Sequence, residues 1–187
     1  MLIIITGPSG VGKTTIIRSL IKADPKLRYS VSLTTRKPRP REIDGVDYHF
    51  VSIAEFKEKI KNDEFAEWSE VYGQYYGRLK RDLEEISREN DVLVGIDVQG
   101  AEKLKAKYPE GVTIFILPKS ESALESQLKG RGTESEESIK TRLNTAIHEI
   151  KKADIFDYKV VNDKVFEAVK KIQCIIIAEK CKTKNRE

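Results

Sequence analysis

The sequence predicts an α/β fold: a mostly parallel core sheet flanked by helices. Two observations carry that expectation. Apolar strand-like runs alternate with amphipathic helix-like runs along the chain, which is the order a parallel sheet with crossover helices requires. The 187 residues also fit one ordinary domain with its own core and room for inserted lobes, and no internal repeat or low-complexity linker divides them.

The elements follow in order. Leu2 to Thr6 reads as a buried first strand, and Thr14 to Lys22 as a helix closed near Pro25. Arg28 to Leu33 is the second strand. The stretch from Thr34 to Asp47, rich in Arg, Pro and Gly, is a surface loop. Asp47 to Val51 and Phe65 to Tyr72 alternate in polarity around a short helix at Ile53 to Asn62, as a small antiparallel lobe would. Arg78 to Glu89 is a polar helix. Asp91 to Asp97 and Val112 to Leu117 are core strands on either side of a helix at Gly100 to Lys107. Helices at Ser120 to Lys129 and Ser135 to Lys152 flank a Gly-Arg-Gly break. Asp157 to Val161 is the last strand, and a long helix from Asp163 ends in a solvated basic tail from Lys180.

Composition narrows the function classes. Hydrophobic residues make up 39% and charged residues 34%, which indicates a globular protein with a heavily charged surface. The net charge of +4 is spread among interleaved signs, so no nucleic-acid partner is expected. Collagen-like, mucin-like and disulfide-scaffold classes are excluded. Cys174 and Cys181 are seven apart in a helical segment, about 10 Å along the axis, too far for a disulfide. They match no zinc spacing and are expected to be buried or half-buried thiols in a reducing compartment. His49 and His148 fit no metal or catalytic pattern. No targeting or membrane segment is visible: the apolar run Cys174 to Ala178 is far below the ~20 residues of a span. A cytoplasmic protein with no membrane partner is expected.

The strongest chemical signal is Gly7-Pro8-Ser9-Gly10-Val11-Gly12-Lys13-Thr14, which satisfies G-x-x-x-x-G-K-S/T between the first strand and first helix. Glycines let the backbone fold around a phosphate, the helix N-terminus adds partial positive charge, Lys13 reaches the outer phosphates and the Thr14 hydroxyl suits Mg²⁺. The motif indicates a nucleoside triphosphate with magnesium and does not name the reaction. Next, Arg36, Arg39 and Arg41 lie within six positions of a Pro-stiffened loop, and guanidinium forks suit a phosphate dianion. A solvated basic loop is the alternative for an isolated charge run. After a phosphate loop, a second phosphate site is the better reading.

Taken in order, Ser32-Leu-Thr-Thr-Arg36-Lys-Pro-Arg39, Gly45-Val-Asp47-Tyr48, Glu64-Phe-Ala-Glu67-Trp68, Tyr75-Tyr76-Gly77, Ile96-Asp97-Val-Gln99-Gly100 and Val161-Asn162-Asp163 resemble the guanylate kinase family over nearly the whole chain. The resemblance implies a P-loop NTPase fold with an inserted GMP-binding lobe and a helical lid: core 1–32, 82–125 and 151–187, lobe 33–81, lid 126–150. It implies ATP-dependent phosphorylation of GMP, with dGMP as a further acceptor, in purine nucleotide metabolism. ATP and GMP are then the small-molecule partners, Mg²⁺ is the cofactor, with Thr14 as its protein ligand, and a homodimer is left open. It assigns Gly7 to Thr15 (Gly7, Pro8, Ser9, Gly10, Val11, Gly12, Lys13, Thr14, Thr15) and Asn162 to ATP. To GMP it assigns Ser32, Arg36, Arg39, Tyr48, Glu67, Tyr76, Arg78 and Asp97. Lys13, Arg142 and Arg131 become the catalytic cations, the two arginines from the lid. The chemistry agrees: guanine presents N1–H and N2–H on one edge, and the Glu67 carboxylate accepts both, while Trp68 beside it is expected to pack.

Three positions depart from the family pattern. The usual D-x-D at the end of the third core strand is Gly95-Ile96-Asp97, so the first carboxylate, which helps hold magnesium or its waters, is missing. Arg78 replaces a small hydroxyl residue that touches guanine. It either forks onto guanine O6 and N7 or points into solvent as the first residue of a helix. Arg41 stands where glycine is common. Two alternatives therefore stay open: a kinase for a different small phosphorylated acceptor, and a non-catalytic binding module of the same fold.

Overall fold

The computed structural model describes residues 1–40, 42–87, 90–130 and 136–183. In chain order its elements are β1 (Leu2–Thr6), α1 (Lys13–Ala23), β2 (Leu27–Tyr29), β3 (Leu33–Thr34), β4 (His49–Phe50), α2 (Ile53–Lys61), β5 (Phe65–Val71), β6 (Gln74–Leu79), α3 (Lys80–Ser87), β7 (Asp91–Gly95), α4 (Val98–Lys107), β8 (Val112–Pro118), α5 (Glu121–Lys129), α6 (Glu136–Lys151), β9 (Tyr158–Asn162) and α7 (Val165–Lys180).

The core sheet is parallel throughout, in the order β2-β7-β1-β8-β9. Its central strand β1 is apolar on both faces because helices cover both. Ile3 and Ile5 pack with Ile16 and Leu20 of α1 and Ile172 of α7. Ile4, between them, turns to the other face with Val92, Val94, Ala101 and Leu104. Each of these isoleucines is fully buried, contributing about 1.5–3 kcal/mol apiece. This buried sheet fixes the C-terminal ends of β1 and β7, and it is outside such strand ends that open α/β sheets bind ligands.

A second sheet, of mixed direction, has the order β4-β3-β6-β5. It has its own small core of Leu33, Phe56, Phe65 and Leu79, with the Phe56 and Phe65 rings stacked 4.4 Å apart. The expected packing role of Trp68 holds, since it sits half-buried against this cluster. Ser52 starts α2 with a reciprocal capping box to Glu55. The β5–β6 hairpin closes through Tyr72 and Gly73, both at positive φ (53° and 70°), the signature of a two-residue type I′ turn.

Three expectations are corrected. The second strand, expected at Arg28 to Leu33, is two strands in two sheets. Ser30 N–H makes its bond to Leu93 of the core sheet, while Ser32 C=O accepts from His49 N–H in the second sheet, so the chain changes sheets within three residues. The polar helix expected from Arg78 begins only at Lys80, because Gln74–Leu79 pairs with both β5 and β3 as an internal strand. Both cysteines are exposed, not buried, although Cys174 lies within α7. Among the described residues no helix is long and apolar enough to cross a membrane.

Candidate nucleotide site

The two sheets and the α5–α6 pair enclose one cleft of about 550 Å³. Its first wall is the β1–α1 loop. Gly7 sits at φ +137°, with space so tight that a Cβ would lie 2.4 Å from the Ile116 carbonyl oxygen. Gly12 sits at φ +94°, and a Cβ there would lie 2.6 Å from Asn162 Nδ2. Only glycine meets both demands. Asn162, buried at the end of β9, donates through Nδ2 to Val11 C=O at 2.8 Å and so braces the loop. Lys13 Nζ donates to Gly7 C=O (2.6 Å) and Pro8 C=O (3.1 Å), folding over the loop like a strap. No side chain caps α1, so its first-turn N–H groups are left for a ligand. Gly7, Ser9, Gly10, Val11, Gly12, Lys13, Thr14, Thr15 and Asn162 all line the cleft; Pro8 is buried and does not.

The opposite wall comes from the second sheet and its loops. Arg36 forms a two-bond fork with Glu42, 2.9 Å at each arm, and Arg39 N–H donates to the same carboxylate at 2.6 Å. Burial would push Glu42 up, but Arg36 and the Arg39 amide hold it below the usual carboxylate range. The Arg36 guanidinium lies 5.4 Å from the Tyr48 ring centre, and Tyr48 meets Tyr76 edge-on at 6.0 Å. Burial pushes the Tyr48 phenol well above its ordinary value, so its hydroxyl stays a neutral donor.

At the inner end sit Ser32, Glu67 and Asp97. Glu67 is only 5% exposed. Burial pushes its carboxyl up to about 7, Arg78 opposing and Asp97 reinforcing the shift. Asp97 caps α4 by accepting from Gly100 N–H (2.9 Å), and its other oxygen accepts from the Ser69 hydroxyl (2.6 Å). Arg78 is fully buried and does not line the cleft. Its Nη2 donates to Ser30 C=O (2.9 Å) and Ser32 Oγ (2.6 Å), and its Nη1 lies 3.9 Å from Glu67 Oε1. The solvent-pointing reading of Arg78 is therefore excluded. At Gly95, Ile17 fills the place of a side chain, its Cδ1 2.4 Å from where a Cβ would be.

From α6, Arg142 reaches Ser9 Oγ at 3.4 Å and stacks on the Tyr72 ring at 4.8 Å, joining the phosphate loop to the β5–β6 turn. Arg131 and Arg41 lie outside the described residues. Sequence reasoning missed two acids. Glu149 lines the cleft from α6; burial pushes it up to about 7, with Lys13 opposing and Asp97 reinforcing. Its seven-residue spacing from Arg142 places both on one helix face, and that spacing was the available signal. Glu42 directly follows the three arginines of the basic loop.

The sequence model of the guanylate kinase family matches residues 1–179. A guanylate kinase of Caldanaerobacter subterraneus subsp. tengcongensis is 50% identical over 97% of this chain and 89% of its own length. One of Carboxydothermus hydrogenoformans is 47% identical over 98% and 91%. Among solved structures, guanylate kinase from Anaplasma phagocytophilum superposes with a TM-score of 0.83 at 33% identity, over 98% of this chain and 87% of that one. A shikimate kinase from Bacteroides thetaiotaomicron, 14% identical with a TM-score of 0.54 over 95% of this chain and 98% of its own, shares the fold alone.

Proposed function

From the premise that this chain belongs to the guanylate kinase family, we propose that it transfers the γ-phosphoryl group of ATP to GMP or dGMP, giving ADP and GDP or dGDP. It is a nucleoside monophosphate kinase. One observation carries the reading in detail: a single cleft has a phosphate loop on one wall and, on the other, an arginine-tyrosine cluster that ends in a buried carboxylate.

Each wall takes one substrate. The loop Gly7 to Thr15 and the α1 N-terminus cradle the ATP phosphates, and Lys13 turns from the loop carbonyls to the outer phosphates. Asn162 holds the loop on the adenine side. Arg36 and Arg39, with Tyr48 and Tyr76, clamp the GMP phosphate, which displaces the Glu42 carboxylate from the Arg36 fork. Glu67 accepts guanine N1–H and N2–H, Ser32 adds a hydroxyl contact, and Asp97 supports the base end through Ser69. Arg142, and Arg131 as a second lid cation, neutralise charge on the moving phosphoryl group. The moving parts are the lobe 33–81 and the lid 126–150 on the core 1–32, 82–125 and 151–187, and their closure excludes water that would otherwise accept the phosphoryl group.

Magnesium fits this donor set. The Thr14 side chain is exposed on the cleft beside Lys13, and no cluster of three His, Cys, Asp or Glu exists among the described residues. Such a site suits an ion held mainly by phosphate oxygens and water, with Thr14 as its protein ligand. When bound, Mg²⁺ offsets the charge between the β- and γ-phosphates.

A coupled ADP-release assay with GMP, dGMP, AMP, UMP and CMP, with and without Mg²⁺, tests the reading. Magnesium-dependent turnover with the guanine nucleotides supports it. Turnover only with another acceptor, or binding without turnover, overturns it.

A further inference from the structure

We propose that Arg78 is a positioning residue that sets the polarity of the base pocket, making Ser32 a hydrogen-bond donor and keeping Glu67 an acceptor, so that a 6-oxopurine is admitted and a 6-aminopurine refused. The inference rests on the reading of this pocket as the acceptor-base site.

The argument starts from what a guanidinium can do. It donates only, and its five N–H groups lie in a rigid plane. Arg78 Nη2 donates to Ser32 Oγ at 2.6 Å, and among the described residues this is the sole hydrogen bond that Oγ makes. A serine hydroxyl has one proton to give. With a lone pair taken by Arg78, that proton is left for the cleft that Ser32 lines. The second bond of Nη2, to Ser30 C=O at 2.9 Å, locks the guanidinium to the segment where the chain changes sheets. On its other side, Arg78 Nη1 lies 3.9 Å from Glu67 Oε1 and has no hydrogen-bond partner.

Three charged groups face Glu67: Arg78 from β6, Asp97 from the start of α4 and Lys103 from α4. Burial and Asp97 favour the protonated carboxyl; Arg78, the larger of the two opposing cations, favours the carboxylate. The pocket thus shows a hydroxyl donor beside a carboxylate acceptor. Guanine complements that pattern with an O6 acceptor beside N1–H and N2–H donors. Adenine presents the inverse, an N6–H₂ donor beside an N1 acceptor. Without Arg78, both lone pairs of the Ser32 hydroxyl are uncommitted, so its bias toward donation is lost, and a protonated Glu67 is able to donate, which is the pattern adenine needs.

The test replaces Arg78 with Leu and separately with Met, neither of which supplies the hydroxyl that touches guanine in the family pattern. Binding of GMP and AMP is measured by calorimetry from pH 6 to 9, with melting temperatures and ATP affinity alongside. The loss of GMP affinity on acidification should begin about one pH unit higher in both variants. Near pH 6.5 the GMP-to-AMP preference should fall about tenfold and recover by pH 9, with ATP affinity unchanged. A folded Leu variant suffices if the Met variant does not fold. An unchanged pH profile and base preference in the folded variant overturns the proposal, as does an equal loss of ATP and GMP affinity, which marks a purely structural role. If the unsubstituted protein binds no GMP at any pH, the acceptor assignment itself fails, and this inference falls with it.

Discussion

On the proposed donor side of the cleft the lining comes largely from one unbroken stretch, Gly7 to Thr15; on the proposed acceptor side Ser32, Arg36, Tyr48, Glu67 and Tyr76 come from separate strands and loops. The first wall is largely backbone. Its N–H groups are neutral, and even its lysine rests on carbonyls of the same loop. The second wall consists of side chains, several charged and half or fully buried, and each has a stand-in partner: Glu42 for Arg36, Arg78 for Glu67. A backbone site tolerates being empty. A site of buried charges does not, because an unpaired buried charge is costly. The acceptor wall therefore carries its own counter-ions, of which a phosphate must replace Glu42 while Arg78 stays behind Glu67.

The largest test of this contrast is Lys13→Ala. The donor wall has one side-chain charge, so its loss should lower kcat by about 10²–10³-fold. The melting temperature should barely move, since the hydrogen bonds of Lys13 to Gly7 and Pro8 run to carbonyls of the loop itself. A variant that keeps more than a tenth of the wild-type rate would mean that the loop backbone alone suffices.

Glu67→Gln should come next. It removes one charge-assisted acceptor and leaves an amide N–H₂ facing guanine donors, costing about 3 kcal/mol, roughly 10²-fold in GMP affinity. The effect should fall on KM for GMP and spare KM for ATP. The sign of the pH effect follows from the raised value near 7: below it Glu67 binds a proton and no longer accepts through both oxygens, so wild-type GMP affinity falls as pH drops through 7. The Gln variant has no such proton to take up, and its affinity should be flatter over pH 6 to 8 in calorimetry.

The same contrast explains what could be read from the sequence. β1, the glycine loop and α1 are local in sequence, so periodicity and motif suffice. β6 was invisible because Gln74-Tyr-Tyr-Gly-Arg78 lacks apolar alternation; it is a strand only because β3 and β5 flank it. Arg78 is of a residue type that usually stays at the surface, and its burial is decided by Ser30, Ser32 and Glu67, which are distant in sequence. The cysteines fail the opposite way: thiols are usually buried, but both are exposed, Cys174 on α7 and Cys181 just past its end. Acceptor residues such as Ser32 and Tyr48 were found through family resemblance, because no local spacing ties them together.

Where the walls meet, Tyr72→Ala should have a smaller effect. Its ring lies 4.8 Å from the Arg142 guanidinium, a contact worth about 1 kcal/mol. Loss of the ring should slow turnover by about fivefold at saturating substrates, because Arg142 loses a guide toward the phosphoryl group. If kcat is unchanged, the Tyr72 ring does not guide Arg142.

The smallest effect on rate is expected from Gly95→Asp, and it tests whether the donor wall needs a counter-charge of its own. The Asp Cβ would meet Ile17 Cδ1 at 2.4 Å. That atom is the end of a flexible side chain, so a rotamer change relieves the contact at about 1–2 kcal/mol of stability. The new carboxylate would join Asp97 and Glu149 on the cleft. Asp97 already has both oxygens engaged, and Glu149 faces the charge of Lys13 from α6, so neither is placed as a strand-end acid would be. Saturating Mg²⁺ should hide the substitution, with kcat within about threefold of wild type. At limiting Mg²⁺ the variant should reach half-maximal velocity at a lower metal concentration. If the two magnesium titrations coincide, the acid missing from β7 contributes nothing that phosphate oxygens, water and Thr14 do not already supply.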